Sequence, residues 1–352
     1  MKAWVLHGIN DLRFEEVNSP SIGENEILLA VKAVGICGSD IPRVFTTGTY
    51  SYPLIPGHEF AGQVAAVGAA VDTGWQGKKV GVFPLIPCRE CLPCRKEQYE
   101  MCRHYSYLGS RRDGAFAEYV AVPEKNLIEL PEGVRFEEAA MLEPMSVAVH
   151  AMRKAAPLRK DHIVICGLGT IGLFLLMFLL EAGCKNVSVI GNKDFQKRMA
   201  VQLGVPETSF CDSRTQEAEK WLSERTEGKG ADVFFECVGK NETMLQAVGL
   251  TGPGGRIMLV GNPAADMTLP KAVYWKILRN QLTVFGTWNS SFTHKKDDDW
   301  HYVLDRLEER KIAPSMFITH RLPLEELDRG LFVMKDKKED YGKVMILTEN
   351  EQ

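Results

Sequence analysis

Residues 161–172, DHIVICGLGTIG, decide the fold class expected for this chain of 352 residues. A short apolar run, Ile163 to Cys166, leads into a glycine-rich hexapeptide, and a longer apolar stretch, Leu173 to Ala182, follows directly. This order predicts a strand, a tight turn and a helix, the arrangement with which many proteins bind a dinucleotide.

Each glycine of the hexapeptide has its own role in such a site. Gly167 suits the tight turn, Gly169 lets a pyrophosphate approach the backbone, and Gly172 lets the helix pack closely on the strand. The N–H groups at the start of the helix, at Thr170 and Ile171, would face the phosphates. Because glycines before a buried helix can also be purely structural, the rest of the chain has to support the assignment.

The sequence around this segment alternates between predicted strands and helices from about residue 146 to residue 288. The predicted strands are Ile163–Cys166, Val187–Ile190, Asp232–Glu236, Arg256–Val260 and Leu282–Thr287. The predicted helices are Val147–Lys154, Leu173–Ala182, Asp194–Leu203, Thr215–Arg225, Asn241–Val248 and Ala272–Arg279. Such alternation predicts a parallel, doubly wound sheet.

The two ends of the chain have a different pattern. Residues 1–35 alternate between apolar and polar positions as antiparallel strands do, and residues 107–119 return to strand-like residues after a turn at Asp113-Gly114. A final amphipathic helix at Asp298–Glu309 and a short strand at Lys343–Leu347 close the chain. We expect this last segment to rejoin the first domain.

Length and charge exclude several classes of protein. A chain of 352 residues exceeds the usual length of one domain, so two domains are expected. The net charge of -4 gives no support for a nucleic-acid-binding surface. The N-terminus lacks the layout of a secretory signal, and the apolar run Leu168–Leu180 is too short to span a bilayer. A cytoplasmic protein with no membrane segment is therefore expected.

Four of the nine cysteines, Cys88, Cys91, Cys94 and Cys102, lie within fifteen residues of one another. In a chain without a secretion signal, this spacing favours metal binding over disulfide bonds, which are the alternative. Four thiolates complete a tetrahedral zinc site and leave no position for a substrate. This zinc would therefore be structural.

A second group of polar residues lies where loops join predicted elements, and it comprises Cys37, Ser39, Asp40, His58 and Glu59. A thiol, an imidazole and a carboxylate supply three ligands, and a catalytic zinc needs three protein ligands plus an open position. The alternative for the first three residues is a loop with a buried cysteine and a helix cap.

Glu143 is a further acidic residue, set in the apolar run 139–143. A carboxylate in such a run must find a partner or shift its pKa. A nearby zinc ion would explain its position, and a helix-terminal surface residue is the alternative.

The chain resembles the zinc-containing medium-chain dehydrogenase/reductase family along essentially its whole length. The motifs that carry the resemblance are GICGSD at 35–40, PGHEF at 56–60, the four cysteines at 88–102, Glu143-Pro144 and GLGTIG at 167–172. Within the family the chain is similar to the polyol branch, on the strength of CGSDIPRVF at 37–45, GSRRDGAFAEY at 109–119 and KILRNQLTVFGTW at 276–288.

The resemblance implies an α/β protein with a Rossmann doubly wound parallel sheet and a β-rich, chaperonin-10 (GroES)-like catalytic domain. The expected boundaries are 1–147 for the catalytic domain with the structural zinc loop 88–102, 148–288 for the nucleotide-binding domain, and 289–352 for the return to the catalytic domain.

The resemblance also implies the composition of the catalytic site. Cys37 and His58 would bind the catalytic zinc, and either Glu59 or Glu143 would be the third ligand, depending on the state of the site. The same comparison assigns two further roles, a proton relay to Ser39 and orientation of the histidine ligand to Asp40.

The reaction implied is the transfer of a hydride between the secondary alcohol of a polyol phosphate, such as galactitol 1-phosphate, and NAD(P)⁺, with two zinc ions per chain. An unphosphorylated polyol such as sorbitol, or L-threonine, is the alternative substrate. A non-catalytic binding protein on the same fold is a third interpretation, and the intact set of candidate ligands argues against it.

The segment after the strand Val187–Ile190 departs from the polyol branch. An NAD enzyme normally places an acidic residue there, whereas this chain has Gly191-Asn192-Lys193. The missing carboxylate removes repulsion against a 2′-phosphate, the glycine makes room for it, and Lys193 could pair with it, aided by Arg198 or Arg214. NADP is therefore expected to be preferred over NAD. In the alternative interpretation, the chain binds NAD and Asp194 is a displaced ligand of the ribose. The cofactor contacts expected beyond the hexapeptide are Gly191, Asn192, Lys193, Arg198 and Val260.

A phosphorylated substrate needs cationic donors, and Arg43, Arg111 and Arg112 are the candidates by motif. Surface salt bridges are the alternative for the adjacent pair. The other residues expected at the substrate pocket are Tyr50 and Tyr52 at its entrance and Trp288 and Asn289 along its wall.

The partner expected for this chain, apart from its small-molecule substrate, is another copy of itself. The resemblance implies a dimer or tetramer, often built by joining edge strands around Leu282–Thr287. Composition alone gives no support for either state.

Overall fold

The computed structural model describes residues 1–348, which divide into two compact units. The first unit comprises Met1–Glu143 together with the chain from Ser291 onward, and the second comprises Pro144–Ser290. The boundaries predicted from the sequence, after residues 147 and 288, lie a few residues from these junctions.

The chain forms seventeen strands and eleven α-helices within the described residues, with short 3₁₀ turns between several of them. The strands are β1 (Lys2–Gly8), β2 (Asp11–Glu16), β3 (Glu26–Gly35), β4 (Glu59–Val67), β5 (Lys79–Val82), β6 (Leu85–Ile86), β7 (Ser106–Tyr107), β8 (Tyr119–Pro123), β9 (Leu127–Glu129), β10 (Ile163–Cys166), β11 (Val187–Gly191), β12 (Phe210–Asp212), β13 (Ala231–Glu236), β14 (Thr251–Leu259), β15 (Thr283–Gly286), β16 (Ile318–Pro323) and β17 (Lys343–Leu347). The helices are α1 (Asp40–Phe45), α2 (Leu92–Arg95), α3 (Phe136–Ala139), α4 (Leu142–Ala155), α5 (Thr170–Glu181), α6 (Asp194–Gln202), α7 (Ala218–Arg225), α8 (Asn241–Leu250), α9 (Lys271–Arg279), α10 (Asp299–Glu308) and α11 (Leu327–Asp336).

The first unit is built on a seven-stranded sheet in the order β16-β17-β3-β4-β5-β9, with β8 pairing a second stretch of β3. Every pair is antiparallel except β16 with β17. Alternate residues of β3 are buried along most of its length, as expected for a strand with one face on the core. The alternation of residues along β3 therefore determines which of its side chains enter the core.

Three neighbouring strands of this sheet bring separate parts of the chain together at one place. Gly35, the last residue of β3, pairs with Glu59 at the start of β4 and with Met345 of β17. Lys343 opens β17 two residues earlier. The end of β3 is therefore flanked by Glu59 on one side and by the start of β17 on the other.

The second unit is a six-stranded, entirely parallel sheet in the order β12-β11-β10-β13-β14-β15. This order confirms the predicted doubly wound sheet, in which the direction of winding reverses between β10 and β13. All four residues of β10 are buried, and helix α5 buries eight of its twelve residues. In such sheets the ligand binds beyond the carboxyl ends of the strands at the reversal point, where the segment Gly167–Gly172 lies.

The prediction of strand-like residues at 107–119 is only partly confirmed. Tyr107 and Tyr119 belong to strands, and residues 116–118 form a bridge and backbone hydrogen bonds with residues 2–4. Hydrogen-bonded turns fill residues 108–112 instead. Gly109 and Gly114 pack directly on the backbone of Gly57, where a Cβ on either would meet the Gly57 oxygen at 2.5 Å or less. This contact, between residues distant in the sequence, determines the backbone there.

No helix among residues 1–348 has the length and apolar composition needed to cross a bilayer.

Candidate active site

The first cluster of candidate ligands comprises Cys37, His58 and Glu59, whose ligand atoms all lie within 4.8 Å of one another. Cys37 follows strand β3, whereas His58 and Glu59 stand at the start of β4. Because β3 and β4 are paired at Gly35 and Glu59, the thiol is brought to the imidazole and the carboxylate. His58 and Glu59 are buried and Cys37 is half-buried, so the cluster retains one accessible side.

The chemistry of this cluster fits a zinc ion. Thiolate, imidazole and carboxylate are the ligands of catalytic zinc, which uses three protein ligands and an open position. Nδ1 of His58 is buried and makes no hydrogen bond to the described residues. Its nearest charged neighbour is Asp40, whose Oδ1 lies 3.6 Å away, which is too long for a hydrogen bond. The orienting role expected of Asp40 therefore stays a prediction.

Asp40 instead organises the loop that carries Cys37. Its side chain is fully buried, and its Oδ2 accepts a hydrogen bond of 3.0 Å from the backbone N–H of Cys37. The guanidinium of Arg43 donates to its Oδ1. The hydroxyl of Ser39 does not cap helix α1, and its relay role stays a prediction.

Lys343 is the residue of this cluster that the sequence analysis missed. Its side chain is 1% exposed, and its ammonium donates to Oε2 of Glu59 and, at 3.0 Å, to the carbonyl of Ile36. A Cβ on Gly35 would lie 2.4 Å from Cε of Lys343 and 2.5 Å from Oε2 of Glu59, so the glycine makes room for this pair. Burial is the main cause that lowers the pKa of Lys343, to about 8.

Glu143 lies apart from the three-residue cluster and is held by Tyr107. The hydroxyl of Tyr107 donates to Oε1 of Glu143 at 3.1 Å, and the tyrosine ring stands edge-on to the ring of His58 at a centroid distance of 5.8 Å. Burial is the main cause that raises the pKa of Glu143, to about 7. A surface position for Glu143 is thereby excluded, since its side chain is only 8% exposed. Which glutamate binds a metal directly stays open.

The thiol and the imidazole of the cluster stabilise each other's charged forms. Burial alone would raise the pKa of Cys37, but the charge of His58 and its hydrogen bond outweigh burial and lower that pKa to about 6. Burial acts to lower the pKa of His58, while the charges of Asp40 and Cys37 raise it above its ordinary value. A divalent cation would bind the thiolate and the neutral imidazole and so displace the proton of the imidazolium.

The second cluster comprises Cys88, Cys91, Cys94 and Cys102, and its ligand atoms also lie within 4.8 Å of one another. Sγ of Cys91 lies 3.5 Å from that of Cys94 and 3.9 Å from that of Cys102, and the sulfurs of Cys88 and Cys94 are 4.0 Å apart. A tetrahedron with Zn–S bonds of about 2.3 Å has edges of about 3.8 Å, which these distances match. All nine cysteines are free, so the disulfide alternative is wrong.

The glycine-rich turn of the second unit has the geometry of a phosphate-binding loop. Gly167 has a φ of +94°, in the left-handed region that favours glycine. A Cβ on Gly172 would lie 2.0 Å from the carbonyl oxygen of Gly167, so helix and turn are in direct contact. Gly169 is exposed, with nothing within 4 Å of a Cβ placed on it, and no side chain caps the helix that begins at Thr170. The first N–H groups of α5 are therefore available to an anion.

The end of β11 is closely packed around Gly191. Gly191 is buried, and a Cβ there would meet the ring of Phe210 at 2.8 Å and Oε1 of Gln196 at 2.9 Å. The packing of these two side chains therefore requires a glycine at this position, and its expected role beside a 2′-phosphate stays a prediction. Asn192 is exposed, and its N–H donates to Oε1 of Gln196 at 3.1 Å.

The charged residues after β11 are partly committed to one another. Arg214 forms hydrogen bonds with both Asp212 and Asp194. Its guanidinium and the carboxylate of Asp194, the alternative ribose ligand, are therefore already paired with each other. The hydrogen bonds from Arg214 lower the pKa of Asp212 to about 2. Lys193 immediately precedes helix α6, and Arg198 is an exposed residue of that helix. Val260, whose N–H donates to the carbonyl of Glu236, follows β14 at the same edge of the sheet.

The expected substrate residues fall into two groups. Arg112 donates to Glu26 at 2.7 Å, which is the salt bridge considered as its alternative role, and Arg43 is paired with Asp40. Their assignment to a substrate phosphate stays a prediction. Arg111 contacts the rings of Tyr50 and Tyr105. The other members are exposed or half-buried side chains: Tyr50 and Tyr52 in the first unit, and Trp288 and Asn289 in the second.

Two family models match the chain. Residues 23–132 match the alcohol dehydrogenase GroES-like domain, and residues 170–309 match the zinc-binding dehydrogenase family. The first match covers both cysteine-containing clusters, and the second begins within the glycine-rich turn. Together they confirm the expected combination of a GroES-like domain and a Rossmann sheet.

The chain is similar to several named polyol dehydrogenases. Galactitol 1-phosphate 5-dehydrogenase of Escherichia coli (strain K12) is 35% identical over 308 residues, 88% of each chain. L-idonate 5-dehydrogenase of Vitis vinifera is 32% identical, over 93% of this chain and 89% of the relative, and sorbitol dehydrogenase of Bacillus subtilis (strain 168) is 29% identical, over 98% and 97%.

Solved structures give the same picture. The crystal structure of galactitol-1-phosphate dehydrogenase from Escherichia coli superposes with a TM-score of 0.91 at 34% identity, covering 99% of this chain and all of that one. A zinc-binding dehydrogenase from Sinorhizobium meliloti 1021, bound to NADP, has a TM-score of 0.89 at 26% identity and covers 98% of both chains. A dehydrogenase from E. coli CFT073 in complex with NADH has a TM-score of 0.90 at 27% identity and covers 99% of both chains.

Proposed function

Because the chain belongs to the zinc-containing medium-chain dehydrogenase/reductase family and is a zinc-type dehydrogenase of its polyol and alcohol branch, we propose that it oxidises the secondary alcohol of a polyol phosphate with NADP⁺. The observation that carries the proposal is the buried cluster of thiol, imidazole and carboxylate at Cys37, His58 and Glu59.

Cys37 and His58 would hold the catalytic zinc, with Glu59 or Glu143 as the third protein ligand. A zinc ion there would act as a Lewis acid and lower the pKa of the substrate alcohol toward neutrality. The hydroxyl of Ser39, which does not cap α1, would take the alcohol proton and pass it toward solvent. The carbinol carbon would then release its hydride to C4 of the nicotinamide, leaving a ketone and NADPH.

The phosphorylated substrate class rests on similarity over most of the chain. Two of the comparisons, one by sequence and one by structure, are with a dehydrogenase whose name specifies galactitol 1-phosphate. The sorbitol and L-threonine dehydrogenases among the relatives, at 29% and 30% identity, define the alternative substrates.

The preference for NADP rests on the end of β11. The segment Gly191-Asn192-Lys193, at the end of the strand where an NAD enzyme normally carries an acidic residue, offers no negative charge to repel a 2′-phosphate, and its Asn192 is exposed. Lys193 and Arg198 supply positive charge close to it. Measuring kcat/KM with both nicotinamides at a fixed substrate concentration checks this preference, and a higher value with NAD would overturn it.

A homo-oligomer is part of the proposal. Strand β15 is the edge strand of the Rossmann sheet, and Val284 on it is 42% exposed. Helix α9 has no buried residue and exposes Trp275 and Leu278. An edge strand beside exposed large apolar side chains suits pairing with a second copy of the chain.

A substrate panel tests the proposed function. The purified, zinc-loaded protein is assayed for nicotinamide reduction with galactitol 1-phosphate, galactitol, sorbitol and L-threonine. We expect the highest kcat/KM with the phosphate ester. A higher kcat/KM with an unphosphorylated polyol or with L-threonine would overturn the polyol phosphate as the substrate and identify that compound's class instead.

A further inference from the structure

Among the three arginines expected to meet a substrate phosphate, only Arg111 has no acidic partner within residues 1–348. Arg43 donates to the buried Asp40, and Arg112 donates to Glu26 at 2.7 Å. The contacts of the Arg111 side chain are with aromatic rings instead. No carboxylate among residues 1–348 therefore forms an ion pair with this guanidinium.

The guanidinium of Arg111 lies in contact with two tyrosine rings. Its Cζ lies 3.9 Å from the ring centroid of Tyr50 and 4.6 Å from that of Tyr105. Cation–π contacts of this kind hold a guanidinium through its face, and its N–H donors at the edge can then bind an anion. They also restrict a side chain that would otherwise lose much rotamer entropy on binding.

The rings continue from Arg111 to the candidate metal site. Tyr105 contacts Tyr107 at a centroid distance of 6.3 Å, and Tyr107 in turn contacts His58 at 5.8 Å. Tyr107 also donates to Glu143. The cationic group and the candidate zinc ligands therefore lie at two ends of one continuous row of side chains.

The turn that carries Arg111 is rigidly attached to the loop that carries His58. The Arg111 N–H donates to the carbonyl of Tyr107 at 2.9 Å, and the Gly109 N–H donates to that of Arg112 at 2.8 Å. Gly109 packs on the backbone of Gly57, next to His58, with no space for a side chain. The Thr49 hydroxyl, beside Tyr50, donates to the Ser110 carbonyl at 2.7 Å. The backbone positions of Arg111 and Tyr50 are thus both fixed relative to the candidate metal site.

We propose that Arg111, in contact with Tyr50 and Tyr105, binds the phosphate group of the substrate while its alcohol lies at the Cys37–His58 cluster. The inference rests on the proposed function and adds to it the residue that selects phosphorylated substrates. A planar guanidinium can donate two parallel hydrogen bonds to phosphate oxygens, which a polyol hydroxyl cannot accept in the same way. Arg111 is accordingly a specificity residue and takes no part in hydride transfer.

The test is Arg111→Gln in the zinc-loaded enzyme, with kcat and KM measured for galactitol 1-phosphate and for galactitol. Losing a charge-assisted hydrogen bond should raise KM for the phosphate ester about tenfold to hundredfold, with kcat within about twofold. KM for galactitol should stay unchanged. Arg111→Lys should recover part of the loss, because it restores the charge without the planar fork. Arg13→Gln, which removes an exposed arginine paired with Asp11, is the matched control and should alter neither substrate.

Inorganic phosphate provides a readout that does not require turnover. Isothermal titration of the zinc-loaded enzyme should give binding that is weakened about tenfold or more by Arg111→Gln. An unchanged KM for galactitol 1-phosphate in Arg111→Gln would overturn the inference while leaving the proposed function intact. If the wild-type enzyme does not oxidise galactitol 1-phosphate, the proposed function fails, and phosphate binding that is equal in wild type and Arg111→Gln then overturns the site as well.

Discussion

At the scale of single residues, the pair formed by Lys343 and Glu59 determines how the carboxylate of the metal cluster is held. Both side chains are almost fully buried, and the ammonium of Lys343 donates to the carboxylate directly. A buried charge is tolerated only when it is paired, and removing one partner commonly costs about 3–5 kcal/mol. In the absence of a cation, Lys343 therefore stabilises a ligand that would otherwise be isolated.

Lys343→Met should destabilise the metal-free protein by about 3 kcal/mol, because Glu59 is then buried without a partner. Zinc should restore more stability to this variant than to the wild type, since the cation supplies the missing positive charge. Urea unfolding of the chelated and zinc-loaded forms measures both effects. Lys160→Met, at an exposed lysine, is the matched control.

The double variant Lys343→Met with Glu59→Gln tests whether the lost stability comes from the unpaired charge of Glu59. Replacing both charges leaves no isolated ion, so part of the lost stability should return. If the single variant Lys343→Met unfolds at the same urea concentration as the wild type without zinc, the account of the pair is wrong.

Asn192 is the residue on which the cofactor preference depends. Asn192→Asp should lower the ratio of kcat/KM for NADP to that for NAD by about tenfold or more, because a carboxylate repels a 2′-phosphate and accepts hydrogen bonds from the ribose. Steady-state kinetics with both nicotinamides measures the ratio. Asn186→Asp makes the same change just before β11, at the opposite end of the strand, and should leave it unchanged. An unaltered ratio in Asn192→Asp would remove the basis of the NADP assignment.

At the scale of elements, strands and helices were predictable where one local pattern determines them. The apolar run before the glycine-rich turn became β10 with the predicted limits, because it is buried on both faces of a parallel sheet. The turns around Gly109 and Gly114 were not predictable, because the backbone there is set by contacts with Gly57. The same holds for Lys343, whose role depends on the pairing of β17, β3 and β4 rather than on neighbouring residues. The metal ligands were predictable because their chemistry is unusual wherever they lie.

The loop 88–102 contains only a short helix, α2, and a 3₁₀ turn. Its order should therefore depend on metal binding. Cys94→Ser should remove one zinc per chain and lower the melting temperature by about 4–8 °C, equivalent to about 2 kcal/mol for a domain of this size. Elemental analysis and calorimetry measure the two effects. Cys184→Ser, at a buried cysteine outside the cluster, should keep the zinc content of the wild type. Unchanged zinc content in Cys94→Ser would exclude the structural site.

Strand β15 supports a prediction about assembly. Val284→Glu places a charge on the exposed edge strand and should shift the protein to the monomer, because a charged edge opposes strand pairing. Light scattering coupled to size-exclusion chromatography gives the mass. Val201→Glu changes an exposed valine on helix α6 and should leave the mass unchanged. A wild-type protein that is itself a monomer at micromolar concentration would refute the proposed oligomer.

At the scale of the whole molecule, the proposed function assigns a different part of the chemistry to each unit. The first unit contains both candidate zinc sites, and the second contains the glycine-rich turn. The chemistry requires both, because a Lewis acid acidifies the alcohol while the nicotinamide accepts the hydride. A single chain of this family thus combines metal and cofactor chemistry.

The most direct test of the central claim is the rate of NADPH formation from galactitol 1-phosphate after the zinc is removed by a chelator and then returned. The account predicts that chelation reduces the rate about a hundredfold or more, since Lewis-acid stabilisation contributes several kcal/mol. Added zinc should restore the rate in the wild type but not in Cys37→Ser. Full turnover by the chelated enzyme, or full restoration in Cys37→Ser, would contradict the assignment of Cys37, His58 and Glu59 as the catalytic metal site.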